Sequence, residues 1–201
     1  MINIKSVAVL GVDGTGKSTV VRALQDYFGA ERTVVQYMGL KDWETFFARI
    51  CYNHPWTKLF GRLARLAVLR ELCVRVRKHD GSKKIVIFDR YVDEQVLQFK
   101  KYKLRLPGKI MQALYKRTFG PNFYRPTISF YMTCNLEVSI SRKDDINTPQ
   151  DIERLKLNKT LMDDFYKGKA GVVTIDTSNI SIEDTLQIIF KKMEEMKCFN
   201  I

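Results

Sequence analysis

Histidine and cysteine are scarce in this chain, with two and four copies in 201 residues. Cys51, Cys73, Cys134 and Cys198 stand far apart, with no C-x-x-C pair and no histidines spaced to join them. That pattern offers neither a zinc framework nor a disulfide scaffold, so reduced thiols are expected. His54 and His79 stand singly, beside Pro55 and near Gly81, where turns are expected. No apolar run approaches the roughly eighteen residues that a membrane-spanning helix requires. The first strand begins too close to Met1 to leave room for a secretory leader, and the expected compartment is the cytoplasm. Internal repeats and low-complexity tracts are missing as well.

What is present describes a globular protein. Hydrophobic residues make up 45% and charged ones 28%, enough to bury one good core, and the length fits a single domain with a small mobile insertion. The net charge of +12 attracts phosphates, whether on nucleotides, nucleic acid or lipid headgroups. Because the basic residues are scattered and no nucleic-acid motif accompanies them, nucleic acid is not the expected partner.

Apolar runs of about five residues alternate with longer segments of helical period, the pattern of strands covered on both faces by crossover helices. Strands are expected at Ser6–Leu10, Thr33–Tyr37, Lys84–Phe88, Thr127–Thr133 and Val172–Asp176. Helices are expected from Lys17 toward Phe28, ending at Gly29; from Pro107 to Arg117; and from Ser181, with Asp184 three residues on, to about Met196. The segment "KLFGRLARLAVLRELCVRVRK" carries Leu59, Leu63, Leu66, Cys73 and Val76 along one helical stripe, with Arg62, Arg65, Arg70, Arg75 and Arg77 elsewhere. The result is an α/β chain built on a mostly parallel sheet. One stretch breaks the pattern: "RKDDINTPQDIER", residues 142 to 154, is polar and shows no apolar face. It is either a surface loop or a mobile flap over a ligand.

The chemistry starts at "VAVLGVDGTGKSTV", where an apolar strand runs into Gly11, Gly16, Lys17 and Ser18 at G-x-x-x-x-G-K-[ST] spacing. Glycines let the backbone turn where other residues cannot and bring N–H groups against phosphate oxygens. The helix that opens at Lys17 aims a partial positive charge at the same point. Lysine reaches the β and γ phosphates and the serine hydroxyl ligates Mg²⁺. Gly11, Gly14, Thr15, Gly16, Lys17, Ser18 and Thr19 are therefore the expected nucleotide-binding set, with ATP and Mg²⁺ as cofactors. A second stretch, "KKIVIFDRY", ends an apolar strand in Asp89, positioned to hold Mg²⁺ through water beside Ser18; Arg90 follows, a planar fork suited to phosphate.

Together, "GVDGTGKST" and "FDRY" resemble the thymidylate kinase family of P-loop nucleoside monophosphate kinases. The resemblance implies a three-layer P-loop fold: a five-stranded parallel sheet with helices on both faces, and a small lid at about 142–154. It implies transfer of the ATP γ-phosphoryl group to a nucleotide, thymidylate in that family. Asp13 corresponds to the aspartate facing the acceptor's sugar, Arg90 to the arginine bridging donor and acceptor phosphates, Arg142 to an arginine near the adenine, and Arg154 to a lid arginine closing on the transferring group. Arg65 or Arg70 corresponds to the arginine that binds the acceptor phosphate. A homodimer through packed helices is also implied.

The chain departs from the family on the acceptor side. It reads "QYMGLKDWE" where the family has an Arg-Glu-Pro stretch, and "VDEQVLQFKKYK" where the family has a serine and a Tyr-Gln pair. The acceptor stays open: a nucleoside monophosphate, or another nucleotide, a nucleoside or a sugar phosphate. For an alcohol, Asp13, Asp89 or Glu94 would serve as base. Trp43, Phe46 and Phe47 would either wall a base pocket or pack in the core. A non-enzymatic nucleotide- or nucleic-acid-binding module is the remaining alternative.

Overall fold

The computed structural model describes residues 5–39, 61–98, 106–118, 123–143, 146 and 148–198. Trp43, Phe46, Phe47, Cys51, His54 and Leu59 lie outside the described residues, as do the side chains of Arg62, Leu63, Arg65, Leu66 and Cys198.

The strands fall where the apolar runs place them: β1 (Ser6–Gly11), β2 (Thr33–Tyr37), β3 (Ile85–Asp89), β4 (Ile128–Thr133) and β5 (Val172–Asp176). They form one five-stranded sheet in the order β2-β3-β1-β4-β5, every pair parallel. Position in the sheet explains composition. Central β1 is buried at all six residues and reads as a mostly apolar run, whereas the edge strands β2 and β5 are only partly buried and carry polar residues such as Gln36 and Thr174.

The helices are α1 (Lys17–Phe28), α2 (Gly61–Arg77), α3 (Asp93–Gln98), α4 (Leu106–Thr118), α5 (Leu136–Ser141), α6 (Pro149–Tyr166) and α7 (Ile182–Cys198). Helix α1 stops because Gly29 takes φ 90°, closed to most side chains. Helix α7 begins with a reciprocal cap: Ser181 Oγ accepts from Asp184 N–H at 3.0 Å, and Ser181 N–H reaches Asp184 Oδ2 at 3.4 Å. One core joins Val7, Val9, Ile87, Phe130 and Ile175 of the sheet to Val20 and Leu24 of α1 and Ile189 and Met193 of α7. Tyr27 of α1 stacks on Phe190 of α7, ring centroids 4.3 Å apart.

The polar stretch at 142–154 is only partly a loop. Its second half forms the first turns of α6, because Thr148 accepts from Asp151 N–H at 3.2 Å and Pro149 occupies the first helical position. The missing apolar face reflects the exposure of these turns, and Leu155 is the first buried residue of the helix. His79 lies in a turn, as expected, and Cys73 and Cys134 are free thiols.

The chain divides into two compact units. One draws on residues within Met1–Tyr37, Lys83–Tyr91 and Pro126–Ile201, and holds the whole sheet with α1, α5, α6 and α7; the other draws on Met38–Ser82 and Val92–Arg125 and holds α2, α3 and α4. In the second unit the expected stripe of α2 is corrected. Val68, Leu72 and Val76 are buried, but so are Glu71 and Arg75, at 0% and 1% exposure, while Cys73 is only half-buried. Arg75 Nε donates to Glu71 Oε1 at 2.9 Å, and its Nη1 donates to the Gly39 carbonyl at 2.9 Å. The pair lies one helical turn apart, so a charged residue enters the core face together with its counterion. Removing one partner is more damaging than removing both. Glu71→Ala is expected to lower stability by about 3–5 kcal/mol, whereas the Glu71→Leu/Arg75→Met pair stays near wild type in chemical denaturation.

Candidate active site

The first unit gathers the chemistry at the carboxyl end of β1 and β3, where open parallel sheets place their ligands. After β1 the chain turns through Gly11, Gly14 and Gly16 at φ 144°, 82° and 86°. Two of these glycines are needed for contact as well as conformation. A Cβ on Gly11 would lie 2.3 Å from the Met132 carbonyl of β4, and one on Gly14 would lie 2.4 Å from the Ser139 carbonyl of α5. The loop is thus pressed flat against its neighbours, with Ser139 Oγ donating to the Asp13 carbonyl and the Thr15 hydroxyl donating to Val12 O at 2.9 Å. The N–H groups of Thr19 and Val20 turn inward to Gly16 O. The amides ahead of them belong to the open helix start, the position that binds anions.

Lys17 is 93% removed from solvent at the first turn of α1, and its Nζ donates to Val12 O. Asp13 Oδ1 lies 4.0 Å from that ammonium and accepts from Arg90 Nη2 at 2.6 Å. Burial alone would push the Asp13 carboxyl up; Arg90, Lys17 and, further out, Lys143 outweigh it and hold the group below the usual carboxylate range. Arg90 is presented by a strained backbone. It alone among the described non-glycine residues has positive φ, at 72°, while its N–H extends the ladder to Val9 O at 2.9 Å. For an L-residue that geometry costs about 1–2 kcal/mol, an expense typical of functional positions.

Asp89, the last residue of β3, is half-buried, and its Oδ1 is fully enclosed without a hydrogen-bond partner. Burial pushes its carboxyl up, against the pull of Lys17 and Arg90. An enclosed carboxylate oxygen with no donor is a site for a cation or its water, so the residues fit Mg²⁺ held by Ser18 and, through water, Asp89. Among the described residues no cluster of three His, Cys, Asp or Glu offers an all-protein metal cage. A Mg²⁺ shared with phosphates does not need one.

Arg142 caps α5, and its Nη2 donates to Thr177 O at 3.0 Å while Nη1 stands 3.5 Å from Gly14 O. It therefore lies beside the phosphate loop, joined to the turn after β5. Arg154 is not brought to this cluster: it stands on α6, 66% exposed, with Nη2 donating to Asp151 Oδ1 at 3.1 Å. In the second unit Arg70 is exposed on α2, and Asp93 and Glu94 are buried at the start of α3, with Arg125 Nη1 donating to Asp93 Oδ1 at 2.8 Å. Sequence reasoning missed Ser139 and Thr177. A lone Ser or Thr has no spacing signature, and only the position of Thr177 just past an apolar strand hints at its role.

The raised Asp89 carboxyl carries a stability consequence. Its folded form resists ionisation, so the ionised group weighs against folding above its titration and that weight lifts as pH falls. Asp13 has the opposite sign: its contribution is full above the unfolded carboxylate range and fades as pH drops through its lowered value. Asp89→Asn is expected to raise the neutral-pH melting temperature while abolishing Mg²⁺-dependent ATP binding; calorimetry on both readouts checks it. Gly14→Ala is expected to lower the melting temperature and lose ATP binding together, because the added methyl group meets backbone.

No family model and no curated protein matches the sequence. Solved structures do. The chain is similar to thymidylate kinase from Candida albicans, with TM-score 0.67 and 16% identity, over 96% of this chain and 92% of that one. It is similar also to deoxyadenosine kinase from M. mycoides, with bound dCTP and with bound dATP, each at TM-score 0.63 with 17% and 16% identity over 94% of this chain and 99% of the other. The parallel sheet, its strand order and these likenesses establish the three-layer fold of the P-loop nucleoside and nucleotide kinases.

Proposed function

We propose that this protein is an ATP- and Mg²⁺-dependent kinase acting on a nucleoside monophosphate, on the thymidylate kinase plan: dTMP + ATP to dTDP + ADP. The observation that carries this reading is the triad of Lys17, Asp13 and Arg90 at the mouth of the phosphate loop, beside the enclosed, unpartnered Asp89 oxygen.

The chemistry is governed by charge. An acceptor phosphate carries close to two negative charges at neutral pH, so it is already nucleophilic and needs no strong base. What opposes reaction is the repulsion between two polyanions. The loop amides and the start of α1 seat the donor's phosphates, and Lys17 leaves the Val12 carbonyl for the β and γ oxygens. Mg²⁺, when bound by Ser18 and Asp89, withdraws charge from the same phosphates. Arg90 releases Asp13 to span donor and acceptor phosphates, which frees the Asp13 carboxylate for a sugar hydroxyl of the acceptor. An acceptor oxygen bonds to the γ phosphorus as the bridging bond to the β phosphate breaks, and ADP departs with the electron pair. In this reading Arg142, beside Gly14, is assigned to the donor's base and Arg154 to a lid that closes on the transferring group and excludes water.

A second reading keeps the donor site and makes the acceptor a nucleoside. It is favoured by the likeness to a deoxyadenosine kinase and by the absence of the Arg-Glu-Pro and Tyr-Gln stretches. An alcohol acceptor requires a base, and Asp89, whose carboxyl burial pushes up, is better poised for that than Asp13. Cytoplasmic location and a homodimer accord with either reading.

Purified protein given ATP, Mg²⁺ and a panel of deoxynucleoside monophosphates and nucleosides is expected to form ADP in proportion to one acceptor class, with monophosphates preferred. Acceptor-independent ATP hydrolysis alone would remove the kinase reading. Lys17→Ala is expected to reduce transfer by about 10²–10³-fold while leaving the fold intact, measured by ADP release and circular dichroism.

A further inference from the structure

Away from the loop, the described residues hold one dense polar cluster. Asp163 lies on the sheet-facing side of α6 and accepts from Tyr131 Oη at 2.7 Å and Thr133 Oγ1 at 3.0 Å, both of β4. It also accepts from Lys159 Nζ at 2.6 Å and pairs with Lys167 Nζ at 3.2 Å. A helix-surface ion pair of the i,i+4 type needs only a lysine; it does not recruit two hydroxyls from a buried strand. The side chain is only 16% exposed, and burial would raise its carboxyl, but the donors on it hold it below the usual range, so it is an anion at neutral pH.

The cluster leads to the donor site. Thr133 is the last residue of β4, and its hydroxyl is held from both sides, donating to Asp163 and accepting from Lys159 Nζ at 3.3 Å. Its carbonyl accepts from the N–H of Thr177 at 2.8 Å and from the Thr177 hydroxyl at 3.2 Å. Thr177, buried just past β5, offers its own carbonyl to Arg142 Nη2 at 3.0 Å. A continuous chain of hydrogen bonds therefore runs from Asp163 to the Thr133 hydroxyl, from the Thr133 carbonyl to Thr177, and from the Thr177 carbonyl to the Arg142 guanidinium beside Gly14.

We infer that Asp163 is a positioning residue for the donor nucleotide, acting through Thr133 and Thr177 on Arg142. It rests on the reading of the loop as an ATP site. The carboxylate touches no substrate; its effect is on how well Arg142 is preorganised, and therefore on nucleotide affinity more than on the chemical step.

The test is a double-mutant cycle on Mg²⁺-ATP affinity, measured by calorimetry, with melting temperatures recorded alongside. Asp163→Ala and Arg142→Ala are each expected to weaken ATP by about tenfold, the loss from one charge-assisted contact, and the double variant by no more than the worse single. Asp163→Asn, which keeps an acceptor for Thr133, is expected to recover most of the loss, and kcat is expected to change less than the KM for ATP. Should Asp163→Ala fail to fold, Thr133→Val severs the same route at nearly constant volume and is expected to show the same loss. Full additivity, or wild-type affinity in Asp163→Ala, Thr133→Val or Arg142→Ala, overturns the inference while leaving the ATP site standing. A wild-type protein that ignores ATP overturns both.

Discussion

The site depends on the carboxylate of Asp13. Lys17 and Arg90 are two cations placed within reach of one point, and Lys143 adds a third charge further out. Their like charges repel, and a nearby anion offsets that repulsion. Asp13 supplies that anion, and the inward turn of Lys17 onto Val12 O completes the neutralisation. A polyphosphate offers the same cations more charge and better geometry than a single carboxylate does. The resting pair is therefore a placeholder, strong enough to hold the loop's shape and weak enough to be exchanged.

Other features follow the same economy. Arg90 is held with positive φ, and Asp89 keeps a buried oxygen without a donor. Each lowers stability, and both lie at the end of β3 next to the loop. The surrounding sheet tolerates them because its central strand β1 is buried throughout and the loop is clamped by Ser139 and by the close approach of Gly11 and Gly14 to neighbouring carbonyls. The one positive-φ non-glycine among the described residues and an unpartnered carboxylate oxygen thus stand side by side at the end of β3, where a ligand would relieve them.

Much of this was legible in the sequence, for physical reasons. Continuous apolar runs marked the strands because a parallel sheet is covered on both faces. The loop was legible because phosphate binding demands glycines, lysine and serine at fixed spacing. What escaped reading is tertiary. The apolar stripe of α2 was drawn without Arg75, since no local pattern announces that Glu71 one turn earlier and the Gly39 carbonyl will satisfy it. The start of α6 was hidden because its first turns have no face to bury, although Thr148 and Pro149 carry the cap and the first helical position. Ser139 and Thr177 contribute through contacts with residues more than a hundred positions away, which spacing along the chain does not encode.

All the residues that would handle the donor's phosphates belong to the sheet-bearing unit, and the charged pairs Glu71–Arg75 and Asp93–Arg125 belong to the other. A phosphate acceptor and an alcohol acceptor ask the same of the phosphate loop, because the transferring group and its charge are the same. They differ in whether a proton must be removed. A phosphate oxygen carries its charge already, while a hydroxyl must lose a proton as it attacks. Of the two carboxylates beside the loop, burial resists the ionisation of Asp89, whereas Arg90 and Lys17 favour that of Asp13. Binding of a divalent cation opposes this by favouring the ionised form. A metal and an alcohol acceptor would thus compete for the same carboxylate, whereas a metal and a phosphate acceptor would not.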